Sequence, residues 1–196
     1  MITEWINDRK QINGDDHRVH YVGSKVELDA VQPDNVDYLL GLFADTDLDY
    51  IDDNPPPNQP RLEEMTEKAI NVLQTNDKGY FLFVEGARID HGHHDGIARY
   101  ALNEAIELDK AIAKAVSMVD LSETLIVVTA DHSHTLTISG YLDQGEDILG
   151  IANSLAQDNK TYTVLNYANG PGGTTSRLNE SEQTATSYRY LQKTLG

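Results

Sequence analysis

Two strand-length apolar runs, Tyr80-Phe81-Leu82-Phe83-Val84 and Thr124-Leu125-Ile126-Val127-Val128-Thr129, bracket one long amphipathic segment. Continuous apolarity without polar alternation predicts strands buried on both faces. Between them, Ala101, Leu102, Ala105, Leu108, Ile112 and Val116 recur at helical spacing and predict a helix over about 97–119. Strand, long helix, strand is a parallel crossover unit, so the fold class is α/β with a mostly parallel sheet. Upstream, 2–10 reads as the end of a helix and 18–22 as a short strand. Ser24 caps a helix to about Ala30, with Glu27 at the capping-box position. The acidic, proline-rich stretch from Asp45 to Pro60 is an irregular loop. Leu62, Met65, Ala69, Ile70 and Leu73 predict an amphipathic helix over 62–73. After about Gly140 the chain turns rich in Gly, Asn, Ser and Tyr, with a strand expected at 162–167 and a turn at Asn169-Gly170-Pro171-Gly172. This part reads as a smaller surface subdomain.

Charge narrows the function. A net charge of −17 repels nucleic acid and anionic lipid, so neither is an expected partner. It also repels phosphate esters unless bound cations reverse the field locally. The chain has no cysteine, so any metal must sit on oxygen and imidazole. No apolar run reaches the roughly 18 residues of a membrane span. Asn159-Lys160-Thr161 and Asn179-Glu180-Ser181 match the glycosylation acceptor pattern, a tripeptide that also arises by chance.

Five of the seven histidines fall in two clusters: Glu85-Gly86-Ala87-Arg88-Ile89-Asp90-His91-Gly92-His93-His94 and Asp131-His132-Ser133-His134. Each begins just past the carboxyl end of a predicted strand, where open parallel sheets bind ligands. Imidazole and carboxylate are the zinc ligands available when thiolate is absent, whereas magnesium takes carboxylate and water. Asp90 and His94 are four apart and share one face of a helical turn. Asp131 and His132 are adjacent and converge only on a bent backbone. Acidic and histidine residues at strand ends are often merely solvated, but two dense clusters at matching ends favour a metal site. His17 and His20 stand apart and read as surface or strand histidines.

At these residues the chain resembles the alkaline phosphatase family in its animal form. Val84 to His94 is similar to the family's central metal motif, and Thr129-Ala130-Asp131-His132-Ser133-His134 to its second. Tyr38 to Phe43, Glu64-Met65-Thr66 and Tyr162 to Leu165 add to the likeness. The resemblance implies part of a three-layer α/β/α sandwich. Residues 1–139 would belong to the catalytic domain, and 140–196 would form a truncated, crown-like surface subdomain. It implies hydrolysis of phosphate monoesters through a phosphoserine intermediate, with two zinc ions and one magnesium. Carried over, Glu85 binds magnesium and His91 sits beside that ion without touching it. Asp90 and His94 bind the first zinc, and Asp131 and His132 the second. It further implies a homodimer that is extracellular or membrane-anchored at the cell surface, or periplasmic in a bacterium.

The likeness departs in places. At the family's calcium site Phe43 is present, but Ala44 and Gln59 replace the acidic ligands, so calcium is not expected. Ala87 stands where animal members carry glycine. The family's serine nucleophile segment and its last zinc histidine are expected upstream and downstream of this sequence, which reads as an internal fragment. Alone it should bind metal weakly and turn over little substrate. Sulfate-ester or phosphodiester cleavage on the same fold, or a non-catalytic binding module, are the competing readings; the Asp-His-Gly-His-His form and the intact ligand residues favour the phosphomonoesterase.

Overall fold

The computed structural model describes residues 1–13, 17–53 and 55–169. The element order is α1 (Ile2–Asn13), β1 (Val19–Val22), α2 (Lys25–Ala30), β2 (Tyr38–Gly41), α3 (Leu62–Leu73), α4 (Arg88–His94), α5 (Ala98–Met118), β3 (Leu136–Ile138) and β4 (Leu165–Tyr167). This is a mixed α/β chain with a small parallel and a small antiparallel sheet. It divides into two compact units. One holds Met1–Gly86 with Ala105–Val127, and the other holds Ala87–Glu104 with Val128 onward.

In the first unit, β1, α2 and β2 form a short crossover. Val19 pairs with Tyr38 and Val22 with Gly41 in parallel register. Ser24 Oγ accepts from the Glu27 N–H at 3.3 Å, and Glu27 Oε2 accepts from the Gly23 N–H at 2.7 Å. The carboxylate thus reaches one residue beyond the cap itself. Val22, Leu28, Val31 and Val36 form the core, with Leu39, Phe43, Met65 and Val72 packed on it. Burying each such side chain contributes about 1.5–3 kcal/mol. Helix α3 is fastened to the same core by Lys68, whose ammonium donates to Val31 O at 2.8 Å. Glu107 is buried on α5 and bonded by Lys110 at 2.6 Å and Arg61 at 3.3 Å. His20 is exposed, and His17 lies 3.7 Å from Asp37.

The principal correction concerns the two apolar runs. Neither 80–84 nor 124–129 joins a ladder among the described residues, and the predicted crossover through α5 does not form there. Exposure alternates along 80–84 and along 124–127, as it does on strands: Phe81 and Phe83 are 86% and 74% exposed, Leu125 and Val127 86% and 75%, with half-buried neighbours between, and Val128 is exposed as well. Apolar side chains predict burial only if a second layer and neighbouring strands cover them. Here one face of each run lacks that cover. The strand expected at 162–167 shortens to β4, with an isolated bridge between Thr163 and Ile151. Strands β2 and β3 are additions to the sequence reading. Gly170 to Gly172 and Asn179 to Ser181 lie outside the described residues.

Arg18 closes the parallel pair electrostatically. Its Nη2 lies 2.6 Å from Asp37 Oδ1, its Nε donates to Oδ2 at 3.2 Å, and its backbone N–H donates to Oδ2 at 2.8 Å. The Arg18 side-chain bonds, then its backbone N–H, hold the Asp37 carboxyl well below the usual carboxylate range. A depressed folded-state pKa contributes stability that is complete above the unfolded value of about 3.9 and is lost as pH falls below it. Urea midpoints of wild type and Asp37→Asn should therefore converge as pH is lowered below about 4; a constant gap down to about pH 2.5 would contradict the pairing. In the apolar runs, Phe83→Ser should shift stability by less than about 0.5 kcal/mol in urea melts. A doubly buried strand position would lose about 3–5 kcal/mol.

Candidate metal centre

The second unit gathers both histidine clusters. Helix α4 turns the first into a short helix, and the spacing of four brings Asp90 and His94 together, with Nε2 3.5 Å from Oδ2. The chain then reverses through Gly96, whose φ of +66° suits glycine. The Ile97 N–H donates to Gly92 O at 2.9 Å. Gly92 is buried, and a Cβ there would lie 2.6 Å from the Ala101 nitrogen. Helix α4 therefore packs backbone against backbone on the start of α5, with no side chain between them.

The second cluster leads into β3, which pairs antiparallel with β4 in the register Leu136 to Tyr167. His134, two residues before β3, points back to α4. Its Nε2 donates to Asp90 Oδ1 at 2.7 Å, and its side chain is only 12% exposed. It is the hub of the cluster: the His93 ring stacks on it at 4.8 Å, the His94 ring meets it edge-on at 4.9 Å, and the His132 ring lies 5.2 Å away. Ligand atoms of Asp90, His94 and His134 all lie within 4.8 Å of one another.

The electrostatics follow from this crowding. Partial desolvation pushes the Asp90 carboxyl up, but the His134 hydrogen bond and the neighbouring His94, His134 and His132 outweigh it, so the net shift is downward. Burial, then the His134 charge, lowers the His93 pKa. Burial pushes Tyr167 up to about 12.

The remaining predicted residues are placed as follows. His132 Nε2 lies 3.7 Å from Asp90 Oδ1 and 3.4 Å from Asp131 Oδ2. Asp131 is on the surface, its side chain 87% exposed. His91 Nδ1 lies 2.9 Å from Arg88 Nη1. Glu85 is exposed and belongs to the first unit.

Comparison with known proteins bears on the same residues. The family profile for alkaline phosphatases matches residues 2–194. The tissue-nonspecific isozyme of alkaline phosphatase from Rattus norvegicus is 50% identical over 154 residues, covering 78% of this chain and 29% of that protein. Alkaline phosphatase from Gadus morhua is 44% identical over 173 residues, 88% of this chain and 35% of the relative. A membrane-bound alkaline phosphatase from Bombyx mori is 42% identical over 172 residues, 88% of this chain and 31% of the relative. The chain belongs to the alkaline phosphatase family. It is also similar to the crystal structure of a cold-active alkaline phosphatase from the psychrophile Shewanella sp., with a TM-score of 0.56 and 29% identity over 64% of this chain and 31% of that one. The chain thus spans about a third of the length of these family members.

Family membership covers both clusters, and the structure adds a residue that the sequence reading left without a role. His134 belongs to the second cluster, but the family resemblance implies only Asp131 and His132 of that cluster as ligands. The signal for it was the spacing of two from His132 on the approach to a strand, which places both side chains on one side of extended backbone. Gly92 carries a testable consequence of the same packing. Gly92→Ala forces α4 away from the Ala101 backbone, and thermal unfolding should show a loss of about 1–3 kcal/mol.

Proposed function

We propose that this chain carries part of the zinc centre of a phosphate-monoester hydrolase. The observation that supports it most is the convergence of Asp90, His94 and His134. A carboxylate oxygen and the His94 imidazole nitrogen, with the His134 ring joining them once it gives up its hydrogen bond to Asp90, form a donor set that zinc accepts without thiolate. The 3.5 Å between Asp90 and His94 is close to the edge of about 3.3 Å expected for a tetrahedral site with bonds near 2.0–2.1 Å. Asp90 and His94 would hold the first zinc, and Asp131 and His132 the second. Glu85 would hold magnesium, with His91 beside it. When bound, such cations supply the positive charge that stabilises a transferring phosphoryl group. The protein residues orient that charge: Asp90 is fixed by His134, and His94 is fixed by its place on α4.

The same reading extends to the whole molecule. The 1–139 segment would be part of a three-layer α/β/α catalytic domain. The 140–196 segment would be a crown-like surface subdomain, supported by the change of composition after Gly140. A homodimer, phosphate monoesters as substrates, and a secreted, membrane-anchored or periplasmic setting complete it. The Bombyx mori relative is described as membrane-bound, while no helix among the described residues here is long and apolar enough to cross a membrane.

Two measurements test the proposal. Residues 1–196 should bind zinc in equilibrium dialysis, and Asp90→Ala combined with His94→Ala should abolish that binding. Exchanged for the matching segment of the Gadus morhua enzyme, the chain should support nitrophenyl phosphate hydrolysis that falls at least about a hundredfold on His94→Ala. Zinc binding that survives loss of both ligands, or a chimera indifferent to His94, would overturn it.

A further inference from the structure

We infer that Tyr167 and Asn169 are positioning residues of the metal centre, which hold the two ligand-bearing segments in register; the inference rests on the zinc reading above. The β3–β4 ladder brings this stretch to the site. Leu136 pairs with Tyr167, and the next hydrogen bond, from the Ala168 N–H to Thr135 O at 3.1 Å, carries the pairing up to the residue that follows His134. From there Asn169 reaches both clusters. Its Oδ1 accepts from the Thr135 hydroxyl at 2.7 Å, while its Nδ2 donates to His93 O at 2.8 Å and to His94 O at 3.4 Å. The last carbonyls of a helix lack intrahelical donors. Asn169 adds a donor from a distant part of the chain to the last two carbonyls of α4, His93 O, which also accepts from the Gly96 N–H at 3.0 Å, and His94 O.

Tyr167 acts on the neighbouring ring. Its hydroxyl shares a 2.7 Å hydrogen bond with His93 Nδ1, and its side chain is buried in the cluster of Ala98 and Leu165. His93 in turn stacks on His134, the ring that bonds Asp90. A rigid phenol thus fixes His93, and His93 limits the tilt of His134. Neither Tyr167 nor Asn169 offers an atom to the proposed ion. Asn169 restrains the backbone of the ligand His94, and Tyr167 acts on the ligand Asp90 through His93 and His134; partners outside the ligand set change metal affinity by about 10–100-fold when removed.

The test uses Tyr167→Phe, which keeps the ring and its packing, and Asn169→Asp, which keeps the acceptor for Thr135 but removes both donated bonds. Far-UV circular dichroism establishes that each variant folds. Zinc affinity is measured by competition with a chromophoric chelator, and cobalt substitution reports ligand geometry through its visible band. Each variant should bind zinc about 10–100-fold more weakly than wild type, with an altered cobalt band. Tyr167→Phe should also shift the His93 ring nitrogens in nuclear magnetic resonance spectra of the metal-free chain. Variants that match wild type in affinity, cobalt band and ring shifts would overturn the inference and leave the zinc reading standing. A wild-type chain that binds no zinc would overturn both.

Discussion

The bond from His134 to Asp90 is the contact on which the candidate centre depends. It joins residues 44 positions apart at 2.7 Å. Without it the two histidine clusters are separate acidic and imidazole patches, the ordinary fate of such residues at a protein surface. With it, a carboxylate is fixed beside three imidazole rings, those of His94, His132 and His134, and its charge is favoured despite partial desolvation. A single preorganised oxygen surrounded by nitrogens is a poor arrangement for storing hydrophobic stability and a good one for receiving a divalent cation.

Two packing devices bring that bond about, and they act at different levels. Gly92 removes a side chain so that α4 lies directly on the Ala101 backbone, which fixes the helix as a body. Tyr167 and Asn169 then act on His93 and the helix end through directed hydrogen bonds. Close packing at Gly92 sets which face of α4 meets α5, and the hydrogen bonds fix the end of the helix and the neighbouring ring. Each supplies the constraint that the other lacks.

Much of this was legible in the residues. The spacing of four between Asp90 and His94, the helix over 62–73, the Ser24 cap and the long helix near 98–118 follow from local periodicity and appear as read. The family resemblance, carried by the two clusters, holds across residues 2–194. What local reasoning misjudged were the runs 80–84 and 124–129, because apolarity records what a segment needs and not whether a neighbour supplies it. Phe81 and Leu125, each 86% exposed, show that need unmet in this structure. His134 went unassigned for a related reason. The spacing of two from His132 hints at a shared side, but the bond to Asp90 arises from a long-range approach of the β3 end to α4, which local spacing does not set.

The charge of the chain sets a final requirement. At −17, its overall field opposes any phosphate ester. Histidines that bind a metal do so as neutral imidazoles, so the rings around Asp90 bring no positive charge when they act as ligands. A phosphoryl group held at these rings therefore needs positive charge from another source than the imidazoles. Divalent cations meet that requirement at short range, where their charge outweighs that of more distant carboxylates. On this argument the acidic surface and the histidine cluster are compatible. The surface governs the approach of anions, whereas the ions held by Asp90 and its neighbours would govern what happens within a few ångströms.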